Sequence, residues 1–101
     1  MPMTANGLAK LLEEMGELAQ VAAKKLAYYD TDEHPDGAGL LSMRLQDEAA
    51  DVMAAIMFVA VHFKFDDEEF HARIDRKVRQ FNAWHADKAN AANAFHAMPA
   101  A

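Results

Sequence analysis

Cysteine is missing from this 101-residue chain. Disulfides and thiolate metal sites are therefore excluded, structural zinc loses its usual ligands, and the cytoplasm becomes the natural compartment. Glycine and proline are scarce, at four and three residues, and Pro35, Gly37 and Gly39 fall together in mid-chain, so few helix breakers interrupt the rest. Long apolar runs are also lacking. The longest without a charged residue, Val52 to Phe63, contains His62 and is well short of the roughly 20 residues that span a bilayer. No basic stretch followed by an apolar run marks Met1-Pro2-Met3-Thr4 as a secretory signal. Basic residues are outnumbered, 10 to 16, for a formal charge of −6. Nonspecific binding to nucleic acid needs the opposite balance, which leaves neither nucleic acid nor a membrane as an expected partner.

What the chain has in quantity is alanine, 22 residues of 101, and helical periodicity. Leu8, Leu12, Met15, Ala19, Ala22, Leu26 and Tyr29 step by fours and threes, predicting a first helix from near Thr4 to near Tyr29. Asp30 to Gly39 is polar, rich in breakers and aperiodic, and reads as the one substantial loop. A second helix begins near Leu40. From Ala49 to Phe63 it is apolar on every face, with Val52, Ile56, Val59 and Phe63 on one side and Met53, Met57 and Ala60 on another, which predicts burial all round. Asp66 followed by Glu69 resembles a capping box and starts a third helix at Asp66 or Asp67, with Phe70, Ile74, Val78 and Phe81 as its apolar stripe. One domain over residues 1–88 is expected, followed by an Ala/Asn-rich tail, 89–101, that is either a short extra helix or disordered. The fold class is all-α, about three long helices. Three helices do not readily enclose one that is apolar all round, so a homodimer is expected to complete the bundle.

Acidic residues three apart share a helix face. The chain has five such pairs, against about two or three expected by chance at this composition. Context separates two of them: Glu14/Glu17 and Glu48/Asp51 sit inside the two most apolar helical stretches. If the helices pack antiparallel, the four carboxylates meet. Buried together they repel one another and lose hydration unless a cation is shared. An all-oxygen ligand set selects Mg²⁺ or Mn²⁺ over zinc or copper, and Mg²⁺ characteristically completes its shell with substrate phosphates. The competing reading is two solvated faces with Lys10–Glu14 and Arg44–Glu48 salt bridges at i,i+4. Burial discriminates.

Leu12-Glu13-Glu14-Met15-Gly16-Glu17-Leu18-Ala19 followed by Leu45-Gln46-Asp47-Glu48-Ala49-Ala50-Asp51-Val52 resembles the EExxE…ExxD pattern of the MazG-like, all-α nucleoside triphosphate pyrophosphatases, over roughly Leu8 to Phe81. The resemblance implies a helical bundle that forms dimers or tetramers. It also implies cleavage of a (deoxy)nucleoside triphosphate between the α and β phosphates. Glu14, Glu17, Glu48 and Asp51 are then the Mg²⁺ ligands and catalytic acids, and Glu13 falls off the metal face. Relatives commonly place a Lys, with Asn or Arg, on the phosphates from helix 3; Lys77 and Asn82 are the closest equivalents here, with Arg73 and Lys24 as substitutes. Two other readings stay open: a phosphoribosyl-ATP pyrophosphatase of histidine synthesis, and a non-catalytic helical dimer that binds a partner protein. His62, inside an apolar run, reads as a hydrogen-bonded core or interface residue.

Overall fold

In a computed structural model, which describes the backbone of residues 4–97 and the side-chain environments of residues 7–87, every regular element is a helix: α1 (Thr4–Ala27), α2 (Leu41–His62) and α3 (Asp67–Ala97). No strand occurs among the described residues. No helix among them is long and apolar enough to cross a membrane. The chain divides into two compact units, residues 1–64 and 65–101.

The first unit is an antiparallel hairpin of α1 and α2. Three cross-helix relationships fix its register: Gly7 lies against Phe58, Glu17 meets Glu48, and Lys24 and Arg44 share Asp36. The core between the helices is small. Among the described residues only Val21, Leu41, Val52 and Val59 are buried, Leu41 completely. Each such side chain contributes about 1.5–3 kcal/mol of transfer free energy.

Here α1 departs from the sequence reading. The stripe of Leu8, Leu12, Met15, Leu26 and Tyr29 is largely open to water, with Leu12 68% and Leu26 78% exposed. The face turned to α2 carries Leu11, Glu14, Leu18 and Val21, which also step by three and four. Two heptad patterns coexist on this helix, and the more apolar one is not the one packed within the hairpin. The expected all-round burial of α2 is likewise not met within the chain. Val52 and Val59 are buried, whereas Met53, Met57 and Val61 are exposed, Val61 by 74%.

The connection between α1 and α2 supplies what both helix ends lack. Lys25 Nζ, in the last turn of α1, donates to the carbonyls of Tyr29 at 3.5 Å and Thr31 at 3.0 Å and pairs with Asp32 at 3.4 Å. Leu40, the residue before α2, has no capping side chain. Its role passes to Asp32, whose backbone carbonyl accepts the Leu41 N–H at 2.7 Å and whose carboxylate accepts the Ser42 N–H at 2.8 Å and the Ser42 hydroxyl. At the other end, α2 closes through Lys64, a non-glycine residue in the left-handed region at φ 53°.

The second unit is α3. The Glu69 N–H donates to Asp66 Oδ1 at 2.9 Å, which places Asp66 at the cap as its sequence implies. Asp67, Glu68 and Glu69 occupy the first turn, where the helix dipole favours negative charge. Phe65 and Phe70 meet edge to face at 5.1 Å across that start. Residues 89–97 are neither a separate helix nor irregular but the last turns of α3. Alanine is the strongest helix former, and no Gly or Pro intervenes before Pro99. Residues 98–101 of the expected tail lie outside the described residues.

Candidate functional site: a three-carboxylate cluster

Glu14 and Glu17 sit one turn apart on α1, and Glu48 faces them from α2. Each offers a carboxylate oxygen such that all three atoms lie within 4.8 Å of one another, the only such grouping among the described residues. The hairpin's packing places them there. Glu14 continues the Leu11–Leu18–Val21 face, and Glu48 stands one turn before the buried Val52, so both are drawn toward the helix interface. The Glu14 side chain keeps only 12% of its surface.

One Glu14 oxygen, Oε1, receives Lys10 Nζ at 3.4 Å, and that lysine also reaches Glu13 at 3.3 Å. The Lys10–Glu14 pair of the solvated-face reading is thus real, but Lys10 is well exposed and screened by water. Contact with Glu13 and then Glu14 raises the Lys10 pKa above its usual value. The other Glu14 oxygen, Oε2, is buried and has no hydrogen-bond partner, and the same is true of Glu48 Oε2. Buried polar atoms are seldom left so, because the lost hydration goes uncompensated. Glu17 is exposed, yet its carboxyl is pushed above the ordinary range, first by the negative charge of Glu14, then by partial desolvation and by Glu48. Three acids compete for too little positive charge, and that donor set suits a hard divalent cation.

Asp51 is placed differently from the expectation that it shares the Glu48 face. It is exposed and lies outside the three-carboxylate group. Three residues on a helix amount to a 60° rotation, and with Glu48 aligned near the Val52–Val59 line, Asp51 falls on the solvent flank. Arg44 does not pair with Glu48. Its guanidinium takes both oxygens of Asp36, at 3.1 and 3.2 Å. Lys24 donates to the same carboxylate at 2.9 Å. Arg73, Lys77 and Asn82 are exposed positions on α3, in the second unit.

Sequence reasoning missed the connection as a structured element. Asp36 is held far below the ordinary carboxylate range by the Lys24 hydrogen bond, by the Ala38 N–H at 3.1 Å and by Arg44. Asp32 is lowered by Ser42 and, more weakly, by Lys25. His34 Nδ1 accepts the Asp36 N–H at 3.0 Å, and its ring meets Tyr28 edge to face at 4.8 Å. Alternating Asp with Gly in a polar segment signals turns, but not which distant cations those aspartates will hold. His62, expected as a hydrogen-bonded core or interface residue, is hydrogen-bonded, its Nδ1 to the Phe58 carbonyl at 2.9 Å, and its ring stacks on Phe58; within the chain it is exposed and not part of the core.

No protein-family model, curated protein or solved structure matches the chain.

Proposed function

We propose that this protein is a Mg²⁺-dependent nucleoside triphosphate pyrophosphohydrolase of the MazG-like kind, with Mn²⁺ as a workable substitute. The observation that carries the reading is the pair of buried, unpartnered oxygens, Glu14 Oε2 and Glu48 Oε2, beside a Glu17 carboxyl already resisting ionisation. Glu14, Glu17 and Glu48 would hold the cation, and Asp51, one turn further along α2 and exposed, would extend the acidic edge on the solvent side. A divalent cation bound there would supply charge neutralisation for the phosphate oxygens and would lower the pKa of the attacking water. Water adds across the α–β anhydride, releasing the monophosphate and pyrophosphate; no side chain forms a covalent bond.

A homodimer, or a tetramer built from it, accompanies this reading. The four buried residues make a slender core for a hairpin that leaves Leu12, Leu26, Met53, Met57 and Val61 in water. A second copy is the economical cover for so much apolar surface. One observation favours a second reading, a partner-binding helical module: an open apolar groove of about 350 Å³ lined by Leu11, Met15, Leu18, Ala19, Val52 and Ile56.

Pyrophosphate release from a panel of standard and modified nucleoside triphosphates and phosphoribosyl-ATP, with and without Mg²⁺, separates the readings. Metal-dependent release that falls at least about 100-fold in Glu48→Gln, with helicity retained, supports the enzyme. Silence across the panel from folded protein favours the binding module. Asp51→Asn tests whether that exposed acid belongs to the site.

A further inference from the structure

Lys24 and Arg44 come from different helices and converge on one carboxylate that belongs to neither. Lys24 lies seven residues after Glu17, two turns on along nearly the same face of α1, and Arg44 lies four before Glu48 on α2. At 1.5 Å per residue, the backbone position of Arg44 stands about 6 Å from that of Glu48 along α2, and that of Lys24 about 10.5 Å from that of Glu17 along α1. Asp36 is the only ion-pair partner of either cation among the described residues. Two positive charges therefore hold a single negative one. The neighbouring Lys25–Asp32 pair is already balanced, and does not supply the missing charge. A phosphate group, with its larger charge and three acceptor oxygens, matches the Lys–Arg pair better than a carboxylate does.

We propose that the Lys24–Arg44 pair is a phosphate subsite, filled in this structure by the Asp36 carboxylate as an internal stand-in that a polyphosphate chain displaces. The proposal rests on the preceding reading in one respect, that the chain's other end lies at Glu14, Glu17 and Glu48. Its spacing suits a triphosphate: terminal phosphates reach the cations while the scissile anhydride stays at the acids. The exchange is feasible because Asp36 keeps 28% of its side-chain surface and is rehydrated once released. The residues flanking it, Glu33, His34, Gly37 and Gly39, line a cavity of about 290 Å³, so the turn is not locked against a filled core. A chain without nucleotide would then occupy the subsite itself, and its affinity for phosphates would be reduced by the fraction of time Asp36 is released.

The test is calorimetric titration of pyrophosphate and of tripolyphosphate into the full chain at low salt with chelator present, so that no metal contributes. Asp36→Asn is expected to bind about tenfold tighter than the wild type, and Lys24→Ala/Arg44→Ala to lose binding at any accessible concentration. Folded Asp36→Asn protein that binds no tighter overturns the proposal. So that nothing depends on that variant folding, backbone amide shifts are followed in the wild-type chain: saturable pyrophosphate-induced shifts at Asp36 and Ala38 are expected, and their absence at millimolar ligand overturns it. Because the readout needs neither metal nor turnover, a failed subsite with intact Mg²⁺-dependent hydrolysis, or the reverse, tells the two proposals apart. Indiscriminate anion binding is disfavoured by the net charge of −6.

Discussion

The Asp32 carboxylate accepts both the backbone N–H and the hydroxyl of Ser42, ten residues further along the chain. It thereby caps a helix from outside it, in place of Leu40, which has nothing to cap with. Together with Asp36, which ties Lys24 to Arg44, it makes the connection a clasp across the closed end of the hairpin.

Acid should undo the clasp. Asp32 and Asp36 both have folded-state pKa values below their unfolded ones. The stability they contribute is thus fully present above about pH 4 and is lost as pH falls through the depressed folded values. Thermal melts from pH 7 down to pH 2 should show Tm falling below about pH 4, with a shallower fall in the Asp32→Asn/Asp36→Asn double variant, whose Tm at neutral pH is already lower. A double variant that melts like the wild type at pH 7 would contradict the assignment.

Glu17 has the opposite sign. Its pKa is raised in the folded state, so the folded chain holds a proton more tightly than the unfolded one, and stability declines as pH rises from about 4.3 through the folded value. Glu17→Gln should therefore melt higher than the wild type at pH 7 in chelator and no higher at pH 3. Differential scanning calorimetry at the two pH values checks it.

Divalent metal should reverse that penalty. Binding to the folded state alone adds about 2.7 kcal/mol of stability at a concentration 100 times Kd. Mg²⁺ or Mn²⁺ should raise the wild-type Tm at neutral pH, and the rise should vanish in Glu14→Gln/Glu48→Gln. An unchanged wild-type Tm, with nucleotide also present, would assign the carboxylates a structural role.

Gly7 makes a different demand. It sits in α1 at φ 88°, and a Cβ there would lie 2.5 Å from Phe58 Cδ1. Gly7→Ala meets both backbone strain and the ring, and should cost about 1–2 kcal/mol or more. Combining it with Phe58→Ala should restore little, since the strain stays, while Phe58→Ala alone loses the His62 stack. Denaturant melts of the three variants give the cycle.

The helices were legible because their signals are local. Asp66 with Glu69, and the breaker cluster from Pro35 to Gly39, mark boundaries within a few residues of themselves. The packing face of α1 was not, because Leu8–Leu12–Met15 and Leu11–Leu18–Val21 are both valid heptad stripes, and periodicity cannot say which one meets α2. Covering the first stripe with a second copy would reconcile the two. The candidate site was readable at Glu14, Glu17 and Glu48, whose spacing follows from helix geometry. It was not readable at Asp51, which a 60° rotation carries to the flank, nor at Arg44, whose partner came from the loop rather than from the next turn.

The clasp also sets an order of assembly. Bringing Asp32 to Ser42 closes a loop of ten residues, whereas bringing Glu14 to Glu48 directly spans more than three times that length. The difference in chain entropy is about 1 kcal/mol in favour of the shorter closure. That difference favours closure at the connection, near Lys24 and Arg44, ahead of closure at the acids. The mutually repelling carboxylates are thus flanked by neutral and oppositely charged contacts that hold the helices side by side against their repulsion.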